Sequence, residues 1–337
     1  MIDVGTGLSI LVQGSDFALL YDAGTNDPAE QGSTSSQSDE TRAVSYLFAA
    51  LGPSGGTSCS PPGDDWGQVP TGEVAIDHVF LSHPHNDHGN MLDSILGCYA
   101  IGTVWDAGYV NDALFLNAFY EAVADEPHVA FRTARPPPAS RRLHDGHVDV
   151  QFGSGVDWRQ FHPGDAVVLG QDARMTIVHA DASASVSTPN VCSVVVRLDL
   201  GSVSVLLTGD VEAGGRAAPD EQAGGGEGEM LAGDRALLDV DILQVAHHGS
   251  MTSSRSEFIA AVTPSVALVS SGPRAYSGVT LPDPEVMTEL RSAAAHVYTT
   301  FELDETDGCE DASGDTVADR IGRETGPGGC ENWILEF

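Results

Sequence analysis

Lysine is absent from this chain. All 15 basic residues are arginine, against 49 acidic ones, giving a formal charge of −34. Schiff-base and lysine-base chemistry are therefore excluded. So large an acidic excess also disfavours tight contact with nucleic-acid backbones, which calls for basic patches. It keeps the chain soluble and suits a salty or extracellular setting. The drift of a genome that avoids lysine codons accounts for the bias equally well. Aromatic residues are sparse, at 7%. No apolar run reaches the roughly 18 residues that a membrane-crossing helix needs, so no membrane span is expected. The hydrophobic share of 41% is still ample for a core.

Cysteine is scarce as well, with five in 337 residues. Cys59 lies in a Gly/Pro/Ser-rich stretch, while Cys309 and Cys330 flank an acidic, Gly-rich segment. Such polar settings point to disulfides, with Cys309–Cys330 the favoured pair. Cys192, in a strand-like run, reads as a buried free thiol. A secreted or periplasmic protein is favoured over a cytoplasmic one. Met1 to Val12 already read as a core strand, so no signal peptide precedes them, and the abrupt start suggests a trimmed leader.

Apolar runs at Ile2–Val12 and Phe17–Tyr21 surround a Gln13–Asp16 turn and predict a hairpin. Helical patterns cover Thr41–Leu51, Met91–Cys98 and Asn111–Ala124. Strands are expected at Ala166–Leu169, Met175–His179, Val191–Leu198, Val203–Leu207, Ile242–Ala246, Val266–Ser270 and Val297–Phe301. Helices near 229–238, 254–262 and 284–294 separate the later ones. This order predicts two sheets face to face with helices outside. One domain spanning 1–337 is expected, with loop-rich insertions at about 25–40, 52–72 and 125–165 and an acidic extension over about 302–337.

The most informative segment is Leu81-Ser82-His83-Pro84-His85-Asn86-Asp87-His88-Gly89-Asn90. It follows an apolar run, Ile76–Leu81, and its Pro, Asn and Gly residues predict a sharp strand-to-loop-to-helix turn. His83 and His85 are two apart, so in extended backbone both rings lie on one side. Asp87 and His88 come just past the bend and can serve a second, nearby centre. Neutral imidazoles with a carboxylate are the donors a zinc-like cation takes. Manganese and iron also tolerate such mixed sites. Further candidates close other apolar strands: His179 after Met175–Val178, Asp210 after Val203–Leu207, and His247-His248 after Ile242–Ala246. His78, His128, His144, His147, His162 and His296 lack this setting and read as ordinary core or surface histidines. The acidic run Asp304–Asp311 lacks calcium-loop spacing and reads as a solvated loop.

The order His-x-His-x-Asp-His, then His, Gly-Asp and His, resembles the metallo-β-lactamase superfamily of dinuclear hydrolases. More narrowly, the chain resembles the metallo-hydrolase domain of ComEC-type competence proteins and their soluble relatives. That likeness is carried by Ile2–Gly7, Leu19–Gly24, Leu81–Asn90, Asn190–Val195, Leu206–Glu212 and Val245–Ser250. It implies a four-layer αββα sandwich with two divalent ions. One would be held by His83, His85 and His179, the other by Asp87, His88 and His248, with Asp210 bridging. His248 is preferred to His247 by its distance from the strand, which leaves His247 as a substrate contact or proton donor. Asp3 and Asp22 would orient strands or ligand rings. Ser193, Ser250 and Tyr276 are weaker substrate-contact candidates.

The implied nucleophile is a metal-bridging hydroxide, with Asp87, His247 and Asp210 as the catalytic set. True zinc β-lactamases generally lack the bridging aspartate, so Asp210 favours phosphodiester-like or other phosphorus-acid esters of small molecules. A nuclease is the nearest rival, provided Arg132, Arg135, Arg141 and Arg142 form a basic strip. A lactonase or β-lactamase-like hydrolase is third, and a metal-stabilised binding module is the non-enzymatic reading. The chain departs from the family in two places. Thr6-Gly7-Leu8 replaces Gln-Gly-Asp, and Tyr276 is followed by Leu281-Pro282-Asp283-Pro284 where relatives show Tyr-Gly-His-Pro-His-Pro. The channel of competence proteins is missing, so DNA translocation is not expected. Sequence is silent on oligomeric state.

Overall fold

Period-two alternation runs through the central strands and sends neighbouring side chains into different interfaces. In a computed structural model, described over residues 1–26, 42–52, 75–181, 189–272, 274–276, 278–294, 296–300, 308–310, 316–318 and 332–337, these interfaces are three apolar clusters. The first sheet contains β1 (Gly7–Gln13), β2 (Ala18–Thr25), β3 (Ala75–Leu81), β4 (Ala100–Asp106) and β5 (Ala130–Thr133). After a separate hairpin of β6 (Arg142–Asp145) and β7 (Val148–Gln151), β8 (Asp157–Gln160) completes the order β1-β2-β3-β4-β5-β8. From β2 onward its neighbours are parallel.

The second sheet uses β9 (Ala166–Gly170), β10 (Ala173–His179), β11 (Val195–Leu200), β12 (Val203–Leu207), β13 (Ile242–Gln244) and β14 (Val266–Val269). A small hairpin, β15 (Ala275–Tyr276) and β16 (Val279–Thr280), precedes its edge strand β17 (His296–Thr299). β18 (Gly308–Glu310) and β19 (Thr316–Ala318) pair separately. The helices are α1 (Arg42–Leu51), α2 (Asn86–Gly89), α3 (Leu92–Cys98), α4 (Phe115–Asp125), α5 (Gly225–Ala232), α6 (Ser256–Val262) and α7 (Pro284–Ala293).

Leu20, Val79 and Val104 face α1, α3 and α4 through Phe48, Leu92, Phe119 and their neighbours. Leu19, Tyr21 and Phe80 point the other way and meet Met175, Val196, Val205 and Leu207 of the second sheet. Leu206 and Leu243 face α6 and α7 through Phe258, Ile259, Val286 and Leu290. Helices, sheet, sheet and helices are therefore four layers held by three dry interfaces.

The expected layering holds, with local differences. β1 starts at Gly7; Ile2 and Val4 are buried ahead of it, and the Ile2 amide bonds the Ser9 carbonyl. The stretch 125–165 is not a loop-rich insertion: β5 and β8 widen the first sheet, and β7 puts Val148 and Val150 into its core. These strands are four residues long with one or two buried side chains each, too few to display a period. The expected insertions at 25–40 and 52–72 and the extension over 302–337 lie largely outside the described residues, as do Cys59 and Cys330 and the side chain of Cys309. Cys192 is free and buried, and Cys98 is disulfide-bonded. Among the described residues no helix is long and apolar enough to cross a membrane.

Candidate metal centre

The candidate ligands gather where strands of both sheets end. β3 stops at Leu81, and the chain bends through Ser82–His85 into the single turn of α2, which carries Asp87 and His88. This turn can lie on the end of β2 because residue 24 is glycine: a Cβ there would sit 2.4 Å from the His88 amide nitrogen. Beside it, the buried Asp22 carboxylate accepts hydrogen bonds from the Ser82 amide (2.7 Å), the Ser82 hydroxyl (2.7 Å) and His88 Nδ1 (2.8 Å). That network assigns the His88 tautomer: with Nδ1–H given to Asp22, the Nε2 lone pair points inward.

Opposite, β12 delivers Asp210. The Gln244 side chain secures the turn before it by accepting from the amides of Thr208 and Gly209. After β13, His247 and His248 both take left-handed backbone (φ 50° and 54°), followed by Gly249 at φ 76°. They sit in a tight turn, not on a strand, so strand alternation does not decide between them. Their partners do. His248 donates Nδ1–H to the Ser270 carbonyl (2.8 Å) and aims Nε2 at Asp210 Oδ2 (3.6 Å) and Asp87 Oδ2 (3.8 Å). His247 stands at the rim, its ring 22% exposed. Its Nδ1 lies beside Thr252 Oγ1 (2.7 Å) and Glu212 Oε1 (3.3 Å), and its Nε2 is 3.8 Å from Asp210 Oδ2.

The remaining distances are short. His83 Nε2 is 3.0 Å from His85 Nδ1 and 3.9 Å from Asp210 Oδ2, and His88 Nε2 is 3.2 Å from Asp210 Oδ1. Two groups have ligand atoms mutually within 4.8 Å: His83–His88–Asp210 and Asp87–His88–His248. His88 is thus common to both. His179, expected beside His83 and His85, instead places Nε2 3.1 Å from Glu229 Oε2 while its Nδ1 meets the Ser193 carbonyl. The Glu229 side chain is 59% exposed, so it can swing away from His179.

Whether a cation fits can be judged from the polar atoms left over. His248 Nε2 is buried without a hydrogen-bond partner, and His88 Nε2 and Asp210 Oδ1, 3.2 Å apart, have none but each other. Such groups are rare, and each costs about 1–3 kcal/mol when nothing meets it. Here they converge, two lone-pair nitrogens and a carboxylate oxygen, as cation donors do. The charge balance agrees. Burial opposes charge on Asp210, yet His88, His248 and His247 outweigh it and hold the carboxyl well below its usual range. Burial likewise opposes charge on His88, but Asp210 and Asp22 raise its pKa well above that of a free imidazole. Burial, then His88 and His85, push His83 well down. His88 therefore carries positive charge between Asp210 and Asp22, and a cation on its Nε2 would take that proton's place.

Tyr276 donates its hydroxyl to Asp87 Oδ2 (2.6 Å) and accepts from Asn26 Nδ2 (3.0 Å). Ser193 Oγ accepts from the Asp210 amide, and Ser250 Oγ lies within Thr252 and Arg216 contacts. Asp3 accepts from the Gly5 amide. The proposed arginine strip is engaged elsewhere: Arg132 pairs with Asp157, Arg142 with Asp149, and Arg141 donates to the carbonyls of Gly153 and Val156. His78 is buried beneath Trp105, whose Nε1–H it accepts. Glu229 of α5 and the loop residues Glu212, Thr252, Asn26 and Arg274 were not apparent from sequence, because isolated polar residues carry no spacing signal.

No protein-family model matches the chain. It is 27% identical over 287 residues to the uncharacterized protein YcaI of Escherichia coli K12, covering 85% of this chain and 26% of that protein. Against Recombination protein 2 of Haemophilus influenzae the identity is 25% over 271 residues, covering 80% and 24%. Competence protein ComA of Neisseria gonorrhoeae is 26% identical over 270 residues, covering 80% and 26%. The chain spans about a quarter of the length of these curated relatives. Among solved structures, the metallo-β-lactamase fold protein YhfI of Bacillus subtilis aligns with TM-score 0.40 and 11% identity, covering 88% of this chain and 94% of that one. Zn-bound PqqB of Methylobacterium extorquens aligns with TM-score 0.40 and 13% identity, covering 87% and 85%. The four layers are those of a metallo-β-lactamase-like fold, and the chain, whose sequence relatives include recombination and competence proteins, carries a candidate His/Asp metal cluster.

Proposed function

We propose that the chain is a metal-dependent hydrolase of phosphorus-acid esters. The observation that carries this reading is the convergence of three buried atoms with no partner outside the cluster, His88 Nε2, Asp210 Oδ1 and His248 Nε2, beside His83, His85 and Asp87. Asp87, His88 and His248 would hold one ion. His83, His85 and, once Glu229 moves aside, His179 would hold a second, with Asp210 between them. Zinc suits the donors, and manganese or iron are the next choices. Such ions, when bound, lower the pKa of water and stabilise charge on a phosphoryl oxygen.

The chain's own side chains supply the rest. Asp22 and the Ser270 carbonyl fix the His88 and His248 rings, so neither must reorient during turnover. His247 is the proton donor to the departing oxygen. It reaches the rim through Nε2, while Glu212 and Thr252 hold its other nitrogen. Asp210 supports phosphorus-acid esters over β-lactams. Relatives named for recombination and competence favour a nuclease as the second reading, against which stand the −34 charge and the engaged arginines. A secreted or periplasmic location is the matching proposal, supported by the disulfide at Cys98.

The test is a panel of nitrophenyl phosphomonoesters, diesters, phosphonates, sulfates and a chromogenic β-lactam, with wild type and Asp210→Ala side by side. Diester or phosphonate turnover that the variant loses supports the reading. Equal behaviour of the two proteins on every compound removes it.

A further inference from the structure

Arg174, Arg274 and Arg291 are among the exposed arginines without a carboxylate partner in the described residues, and of these three Arg274 is the one in contact with residues of the metal centre. Arg132, Arg142, Arg159, Arg197 and Arg216 each pair with an aspartate. Arg274 is exposed and has no carboxylate partner among the described residues, in a chain with 49 acidic side chains. It is also tied to the metal centre. Its guanidinium lies 5.9 Å from the centre of the Tyr276 ring, and that ring's hydroxyl donates to Asp87 Oδ2. Its Nη1 donates to the Asn26 carbonyl, while the Asn26 side chain donates to the Tyr276 hydroxyl.

The backbone beneath is clamped. The Arg274 amide donates to Thr6 Oγ1 (3.1 Å) and the Asn26 amide to the Thr6 carbonyl (2.7 Å). Gly272 lets the two segments touch, since a Cβ there would lie 2.2 Å from the Thr6 amide nitrogen. A solvated arginine loses much rotamer entropy when it binds, whereas one stacked and bonded in advance loses less. An unpaired, held guanidinium at the mouth of an anionic protein's active centre has one evident use, which is to receive an anion.

Resting on the hydrolase reading above, we propose that Arg274 is a specificity-determining residue that receives a second phosphate of the substrate, beyond the ester being cleaved. The substrate class is then a phosphodiester bearing a neighbouring phosphate, either a small bisphosphorylated molecule or a phosphorylated strand end. The probe pair is thymidine 3′-(4-nitrophenyl phosphate) with and without a 5′-phosphate. In wild type the extra phosphate should raise kcat/KM by about 10-fold or more, the scale of a charge-assisted hydrogen-bonded pair. In Arg274→Gln the ratio of kcat/KM between the two compounds should fall to about one, whatever the rate on the unphosphorylated compound. Arg274→Lys should keep part of the advantage. Arg174→Gln, which removes the same charge from the end of β10 opposite His179, should keep all of it. An advantage absent in wild type, or intact in Arg274→Gln, overturns the proposal.

Binding separates this failure from that of the hydrolase reading. If neither compound turns over, calorimetry with thymidine 3′,5′-bisphosphate and thymidine 3′-monophosphate still decides. Preference for the bisphosphate in wild type and its loss in Arg274→Gln support the proposal, and equal affinities contradict it. A 5′-phosphorylated decathymidylate, used as competitor, tells the sources apart: competition as strong as the bisphosphate's indicates a strand end, weaker competition a small molecule.

Discussion

The two sheets contribute unequal halves to the centre. The first-sheet half is local: His83, His85, Asp87 and His88 lie within six positions, and Asp22 holds the His88 ring through a buried bond of 2.8 Å. The second-sheet half is assembled from His179, Asp210 and His248, three strand ends far apart in sequence, and one of its members is still turned toward Glu229. The difference teaches that the first half is preset, whereas the second holds His248 on the Ser270 carbonyl but keeps one adjustable member, His179. Ligand rings whose far nitrogen is bonded to buried acceptors cannot relax away from a metal, whereas His179 faces an exposed carboxylate that water can replace.

Variants can break or sharpen this contrast. The largest effect is expected at the rim. His247→Ala should lower kcat by about 100-fold or more, the range for a lost general acid, while metal content measured by elemental analysis stays at the wild-type level. Loss of metal in that variant would make His247 a ligand. Next comes Asp22→Asn, which leaves the His88 ring without its carboxylate; metal affinity should fall about 10- to 100-fold, as read by competition with a chelating dye. An unchanged affinity would mean that the first half is not preset by Asp22. Smaller still is Glu229→Ala. Freeing His179 from an exposed partner should tighten metal binding by no more than about fivefold, and weaker binding would show that Glu229 belongs to the site.

The last comparison sets Asp210 against Glu227, two buried carboxylates with opposite surroundings. Imidazoles keep Asp210 ionised, whereas Glu227, in the first turn of α5, accepts from the amides of Ser254 and Arg255, and burial raises its pKa from 4.5 to about 8. Its folded pKa exceeds the unfolded one, so the folded state binds the extra proton. The stabilising contribution is full below about pH 4.5 and is lost as pH rises to about 8. Glu227→Gln should flatten the decline of thermal stability across that window. An unaltered slope would assign the decline to other groups.

Much of this centre was legible because ligand chemistry imposes spacing. His-x-His-x-Asp-His is compact enough to read directly, and apolar runs such as Val203–Leu207 point to the residue that ends them. What escaped had no such constraint. β8 reads Asp-Trp-Arg-Gln with a single buried side chain, and β4 contains Gly102, which packs its backbone against Asp77, so neither shows an apolar period. The choice between His247 and His248 depends on consecutive left-handed residues, a geometry no alternation rule anticipates. The Glu229 contact and the clamp on Arg274 arise from tertiary approach alone. The favoured Cys309–Cys330 pair lies outside the described residues, while the disulfide at Cys98 joins a helix whose sequence gives no hint of it.

The central claim is that the converging buried atoms of His88, Asp210 and His248 bind divalent metal. Calorimetric titration of chelator-treated protein with Zn²⁺ and then Mn²⁺, for wild type and Asp210→Asn, tests it most directly. The account predicts saturable binding of two ions per chain in wild type and a loss of at least about 10-fold in affinity in the variant. Absence of saturable binding in wild type, or identical isotherms for the two proteins, would contradict it.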